Sequence, residues 1–224
     1  MLPIGELDQS YEKGLSVLST GEINVIRRGC SELDNSGLTA FTLAAVHRVL
    51  PVYQVYTEMN KTVRGHGPAH DALVAIARLL RRKGGLTPEK VKPVVDAALA
   101  GLESDLSKIN RRAEPNLPEA VAVEVITAVT AALNGWKTSS FDERFQAAMS
   151  ALEVDSLWAE ETAGEVVPWE RLTTQFQQQV RDLDELRSVD SATAADIYRT
   201  VSYRAEREGL PYLYGMEELA QRTH

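Results

Sequence analysis

His47 is followed twenty-three residues later by the adjacent pair His70-Asp71, and further on by Asp96 or Asp105; these are the residues of the chain best suited to chemistry. Imidazoles with a neighbouring carboxylate can hold a divalent ion, and such an ion activates water for hydrolysis of a phosphate ester. Two features weaken that reading. His70-Asp71 opens a helical pattern in which His66 and His70 serve equally well as helix-start residues, and a dipeptide match arises often by chance.

The order of these residues loosely resembles that of the ligands in metal-dependent phosphohydrolases of the HD type. The stretch after the dipeptide, Ala72-Leu73-Val74, lacks the glycine and lysine typical of those enzymes. Paired acids at helical spacing, Glu161 with Glu165 or Asp182 with Glu185, could hold magnesium only if further carboxylates converged from a facing helix, and no second acidic motif is visible. No nucleophile elbow marks a Ser/His/Asp site, and the turns Gly65-His66-Gly67 and Gly84-Gly85 lack phosphate-binding spacing. Cys30 is the single cysteine, with no second thiol for a disulfide, zinc or redox motif, and reads as a buried structural residue. The pattern therefore predicts no catalytic residue, no metal site and no cofactor.

The elements that would position any site are helices. Ser19 followed by Glu22 has the spacing of a capping box, and the apolar residues behind it predict a helix from Thr20 to Leu33. Apolar positions at helical spacing predict a second from Leu38 to Asn60, kinked or divided at Pro51, which removes a backbone donor. Helices from Ala69 to Lys83 and from Pro88 to Ile109 form an expected antiparallel hairpin. The helix from Pro118 to Leu133 is apolar on nearly all sides, which predicts the central position of the bundle. Another runs from Ser139 or Ser140 toward Trp158. Residues 164–168, where Gly and Pro punctuate, are the best boundary, so 1–163 reads as a helical bundle domain and 164–224 as a helical extension packed on it. In that extension Trp169, Leu172, Phe176, Val180, Leu183 and Leu186 form a seam suited to the protein's own core or to self-association. The fold class expected is all-α, an irregular bundle of about eight helices.

Composition excludes disorder: of 224 residues, 44% are hydrophobic and 25% charged. No secretory signal is visible, and the most apolar run is too short to cross a bilayer, so cytoplasmic residence is expected. Charge is unevenly spread. Residues 151–190 hold ten acids against three bases, nearly the whole formal net charge of -8, whereas residues 78–92 hold six bases and one acid. One short basic cluster is too small a footprint for nucleic acid, but an acidic face can steer a basic protein.

The block LAAVHRVLPVYQVY, residues 43–56, with Arg48-Val49-Leu50-Pro51-Val52-Tyr53 at its centre, resembles the early helix of small all-helical bacterial proteins of the YjaG type. His47 stands where an acid is the expected residue of that block. The resemblance extends to about Leu157 and implies an all-helical fold; related helical proteins are immunity partners in bacterial toxin systems. It brings no catalytic residues. The expectation is an immunity protein that neutralises a basic toxin domain by direct binding. The acidic face would comprise Glu153, Asp155, Glu160, Glu161, Asp182, Asp184 and Glu185, with Trp158 and Trp169 as aromatic anchors.

Overall fold

A computed structural model describes residues 19–82, 85–109, 117–163, 169–190 and 193–222. Of the helical positions 117, 158–163, 169–174 and 217–222 only the backbone is described, and residues 164–168, the expected boundary, lie outside the described residues. The described chain is an all-α bundle of nine helices: α1 (Thr20–Ser31), α2 (Asn35–Met59), α3 (His66–Leu80), α4 (Pro88–Ile109), α5 (Leu117–Thr138), α6 (Phe141–Ala163), α7 (Trp169–Arg187), α8 (Ala194–Glu208) and α9 (Leu210–Arg222).

The capping box forms as the spacing predicts. The Glu22 backbone N–H donates to Ser19 Oγ at 3.2 Å, and Ser19 N–H donates to Glu22 Oε2 at 2.8 Å. Asp34 opens α2 by accepting from Gly37 N–H at 2.6 Å. Cys30 is buried, and burial pushes its thiol up to about 12, which keeps it protonated and inert.

The central helix is α2, not the all-round apolar α5. It is buried from Gly37 through Leu50 and packs on α3, α5, α6, α7, α8 and α9. The sequence pattern pointed to α5 because Val and Ile dominate it. Helix α2 carries the buried polar residues Thr39, Thr42, His47 and Arg48 as well, and Thr39, Thr42 and Arg48 are accommodated by specific partners that hydropathy does not register. Thr39 and Thr42, for example, donate to the carbonyls of Asn35 and Leu38 at 2.7 and 2.8 Å.

Pro51 does not divide α2, which runs through it as one helix. Proline leaves the carbonyl of His47 without its helical donor. The junction between α8 and α9 lies against this turn: a Cβ at Gly209 would stand 2.7 Å from Arg48 O and 3.2 Å from both His47 O and Pro51 Cγ. Only glycine permits that approach, because the obstructing atoms are backbone and ring. Gly209→Ala is expected to lower stability by roughly 1–3 kcal/mol through overpacking, read as a fall of a few degrees in Tm. An unchanged Tm would show that the junction has room to give.

Helix α5 continues past the expected stop at Asn134-Gly135 to Thr138. The buried Arg144 of α6 closes this end. Its Nε donates to Gly135 O at 2.9 Å and its Nη1 to Asn35 Oδ1 at 2.7 Å, tying the C-terminus of α5 to the start of α2. Gly135 leaves the space, since a Cβ there would meet Arg144 Cγ at 2.5 Å. The core is continuous across the bundle, and Leu183 and Leu186 of α7, Tyr198, Val201 and Ala205 of α8 and Met216 of α9 belong to the same cluster as α2 and α5.

Candidate functional site

The residues of the HD-type pattern do not converge. His47 is 4% exposed, and burial together with the nearby His70, Arg81 and Arg48 lowers its imidazole to about 4, so it is a neutral core residue. His70 and Asp71 point outward, their side chains 51% and 77% exposed. Asp96 pairs with Lys137 at 2.6 Å. Asp105 is buried and fully engaged: Tyr53 O–H donates to its Oδ2 at 2.6 Å, the backbone N–H groups of Arg64 and Gly65 donate to the same oxygen at 2.9 and 2.5 Å, and Lys108 Nζ donates to Oδ1 at 3.0 Å. This carboxylate holds the turn before α3 against α2 and α4. Among the described residues no group of three His, Cys, Asp or Glu side chains is placed to hold a metal ion.

The acidic residues named from the sequence separate into three groups. The side chains of Trp158, Glu160, Glu161 and Trp169 lie outside the described residues. Asp155 and Asp182 are interior, which corrects their assignment to an exposed face. Asp155 accepts from Tyr212 O–H. Asp182 has no exposed side-chain surface, and it accepts from Arg48 Nη2 and from Arg204 Nη2. Glu153 is half-buried, Glu185 is partly exposed, and Asp184 is the exposed one, with 64% of its side chain open to solvent.

Asp182 belongs to a network that joins three helices. Arg48 Nε donates to Glu208 Oε2 at 2.8 Å, Arg181 Nη2 to Glu208 Oε1 at 2.5 Å, and Arg204 forks onto Glu185 at 2.7 and 2.9 Å. Three guanidinium groups thus meet three carboxylates. Burial raises the Glu208 carboxyl, but hydrogen bonds from Arg181 and Arg48 outweigh it and leave the group below its ordinary range. Desolvation opposes the charge of Arg204, and the bonds and charges of Glu185 and Asp182 more than offset it. Two of the ten acids counted along residues 151–190, Asp182 and Glu185, are therefore met by bases from other helices, Arg48 and Arg204.

Helix α7 shows why the pattern misled. Its buried face is Gln175, Gln179, Asp182, Leu183 and Leu186, at spacings of three and four, with Gln175 and Gln179 donating to the carbonyls of Ala151 and Ala148 at 2.8 and 3.1 Å. Leu183 and Leu186 of the expected self-association seam are core, and Phe176 and Val180 are partly buried beside it. On the outward side, Phe176, Gln177, Val180, Arg181, Asp184, Glu185 and Ser188 line a shallow groove of about 530 Å³, and Asp184 accepts from Arg187 Nη1 at 2.9 Å. On the outward side of α8, Arg199, Thr200, Tyr203, Arg204, Arg207 and Glu208 line a second groove of about 720 Å³. Tyr203 is 65% exposed there. The Arg199, Tyr203, Arg207 register at four-residue intervals was present in the sequence and is the signal by which this ridge could have been found.

No described helix is long and apolar enough to cross a membrane. Compared with known proteins, the chain matches no family model, no curated protein and no solved structure.

Proposed function

We propose that this protein acts by binding another protein, and that the outward groove of α7 is the binding surface. The observation that carries this is the groove's chemistry: the half-buried Phe176 and Val180 lie beside the exposed Asp184. The rim is mixed, with Asp184 and Glu185 beside Arg181 and with Asp184 paired to Arg187 at 2.9 Å, and such a floor and rim suit a basic partner segment whose aliphatic stems cover the floor while its charged heads compete for the rim carboxylates. The finer reading is an immunity protein that sequesters a basic bacterial toxin domain in the cytoplasm, supported by the resemblance of residues 43–56 and by the net charge of -8.

Asp184 is the residue to test, because reversing Asp182 would damage the interior. The tagged full chain is expected to capture one stoichiometric basic protein from its host at about 100 mM salt and to hold it less well at about 500 mM, where surface charges are screened. Asp184→Lys should weaken that association by roughly fivefold or more, mostly through faster dissociation and reduced steering. Capture that is indifferent to both salt and Asp184→Lys, or no capture, would overturn the reading.

A further inference from the structure

We propose that His66 and His70 form a two-imidazole site for a divalent transition-metal ion on the first turns of α3. Residues four apart on a helix share a face, and the two rings stack there with centroids 6.2 Å apart and planes inclined by 28°. Imidazole suits zinc, copper and nickel, whereas magnesium and calcium take oxygen ligands, so the pair selects the class of ion. Ligation through one nitrogen of each ring, at about 2.1 Å, sets the centroids about 5 Å apart in a tetrahedral arrangement. The rings must therefore close by about 1 Å.

One ring is held and the other is free to make that movement. His66 is half-buried, with Tyr53 edge-on to it at 5.9 Å between centroids, and the Tyr53 hydroxyl is itself fixed on the Asp105 carboxylate. The His70 side chain is 51% exposed and can swing. Asp71 Oδ1 stands 3.7 Å from His70 Nδ1; a carboxylate on that side favours the tautomer protonated at Nδ1 and leaves Nε2 to donate its lone pair to a metal. Burial and the neighbouring His70 hold the His66 imidazole below its ordinary range, which keeps it neutral and able to ligate near pH 7, and the charges of Glu58 and Asp71 act on it in the sense that favours a cation. The positive end of the α3 dipole opposes the ion and limits the affinity. The turn is open, since a Cβ at Gly67 would meet nothing within 4 Å. Among the described residues no third His, Cys, Asp or Glu joins the pair, so water completes the coordination. The site involves neither the buried His47 nor the α7 groove.

Calorimetric titration of the full chain with Zn²⁺, and separately with Cu²⁺, should show saturable binding with a dissociation constant below about 1 mM. His70→Ala, a change at an exposed position, should weaken it by roughly tenfold or more, since even the loss of a supporting group costs a metal site that much. His66→Asn should do the same, with circular dichroism confirming that both variants remain folded. His224→Gln, which removes the one histidine of the chain beyond His70, should leave binding unchanged. Mg²⁺ at about 10 mM should not compete, because it prefers oxygen ligands. No saturable binding of either ion, binding unweakened in His70→Ala or His66→Asn, binding lost in His224→Gln, or displacement by Mg²⁺ would overturn the proposal. His70→Ala leaves the α7 groove intact, so loss of metal with retained capture of a basic protein separates this site from the binding function.

Discussion

Replacing Arg48 with methionine is expected to lower the free energy of unfolding by about 3–5 kcal/mol, the cost of breaking a buried ion pair from one side. Arg48 has no exposed side-chain surface, and its guanidinium serves both Asp182 and Glu208. Without it Asp182, equally buried, keeps Arg204 and a longer contact to Arg181 at 3.8 Å, and Glu208 keeps Arg181. The loss is large against the roughly 5–15 kcal/mol that holds a domain together. Urea unfolding should show a lower midpoint with an unchanged slope. Adding Asp182→Leu should return part of the stability, because the double variant removes both charges rather than stranding one. A loss below about 1 kcal/mol in Arg48→Met would mean that water or a neighbouring group already screens Asp182.

Acidification should destabilise the protein well before its carboxylates titrate, and His47 is the cause. Its imidazole titrates at about 4 in the folded protein against 6.5 in an open chain, because burial opposes its protonation and the charges of His70, Arg81 and Arg48 add to that opposition. Between those values the unfolded chain binds a proton that the native state refuses. The stabilisation is therefore fully present above pH 6.5 and is lost as pH falls toward 4. Its size over that window is on the order of 3 kcal/mol. Glu208 adds a separate loss at lower pH, since its folded carboxyl titrates below its ordinary value. His47→Gln should flatten the slope of stability against pH between 4 and 6.5 whatever its effect on stability at pH 7. Equal slopes in variant and native protein would remove His47 as the source.

Much of the helical framework was legible before any coordinates. The capping box at Ser19 and Glu22 rests on an interaction across three residues, which is the range that caps and periodicity report, and the pairing of α3 with α4 and the burial of Cys30 followed from the apolar stripes of their helices. The candidate site was less legible. Asp184 lies on the surface where the acidic pattern placed it, but Asp182 and Asp155 are interior, and Gln175 and Gln179 of α7 turn inward to carbonyls of α6. A hydropathy reading assigns such side chains to solvent. It has no means of knowing that each finds a hydrogen-bonding partner inside, which is the condition under which a buried polar group is tolerated.

The all-α class and the approximate course of the helices were therefore determined by sequence alone, because helix formation and its caps depend on neighbours three and four residues away. Only the tertiary structure decided that α2 is the central helix, that Gly209 fills the turn Pro51 leaves open, and that Arg48 meets Asp182 across 134 residues of chain and Glu208 across 160. Whether a charge is a surface feature or a buried tie depends on the side chains that surround it in space. Those come from helices whose packing is set by the shape of the whole core rather than by any local stretch of sequence.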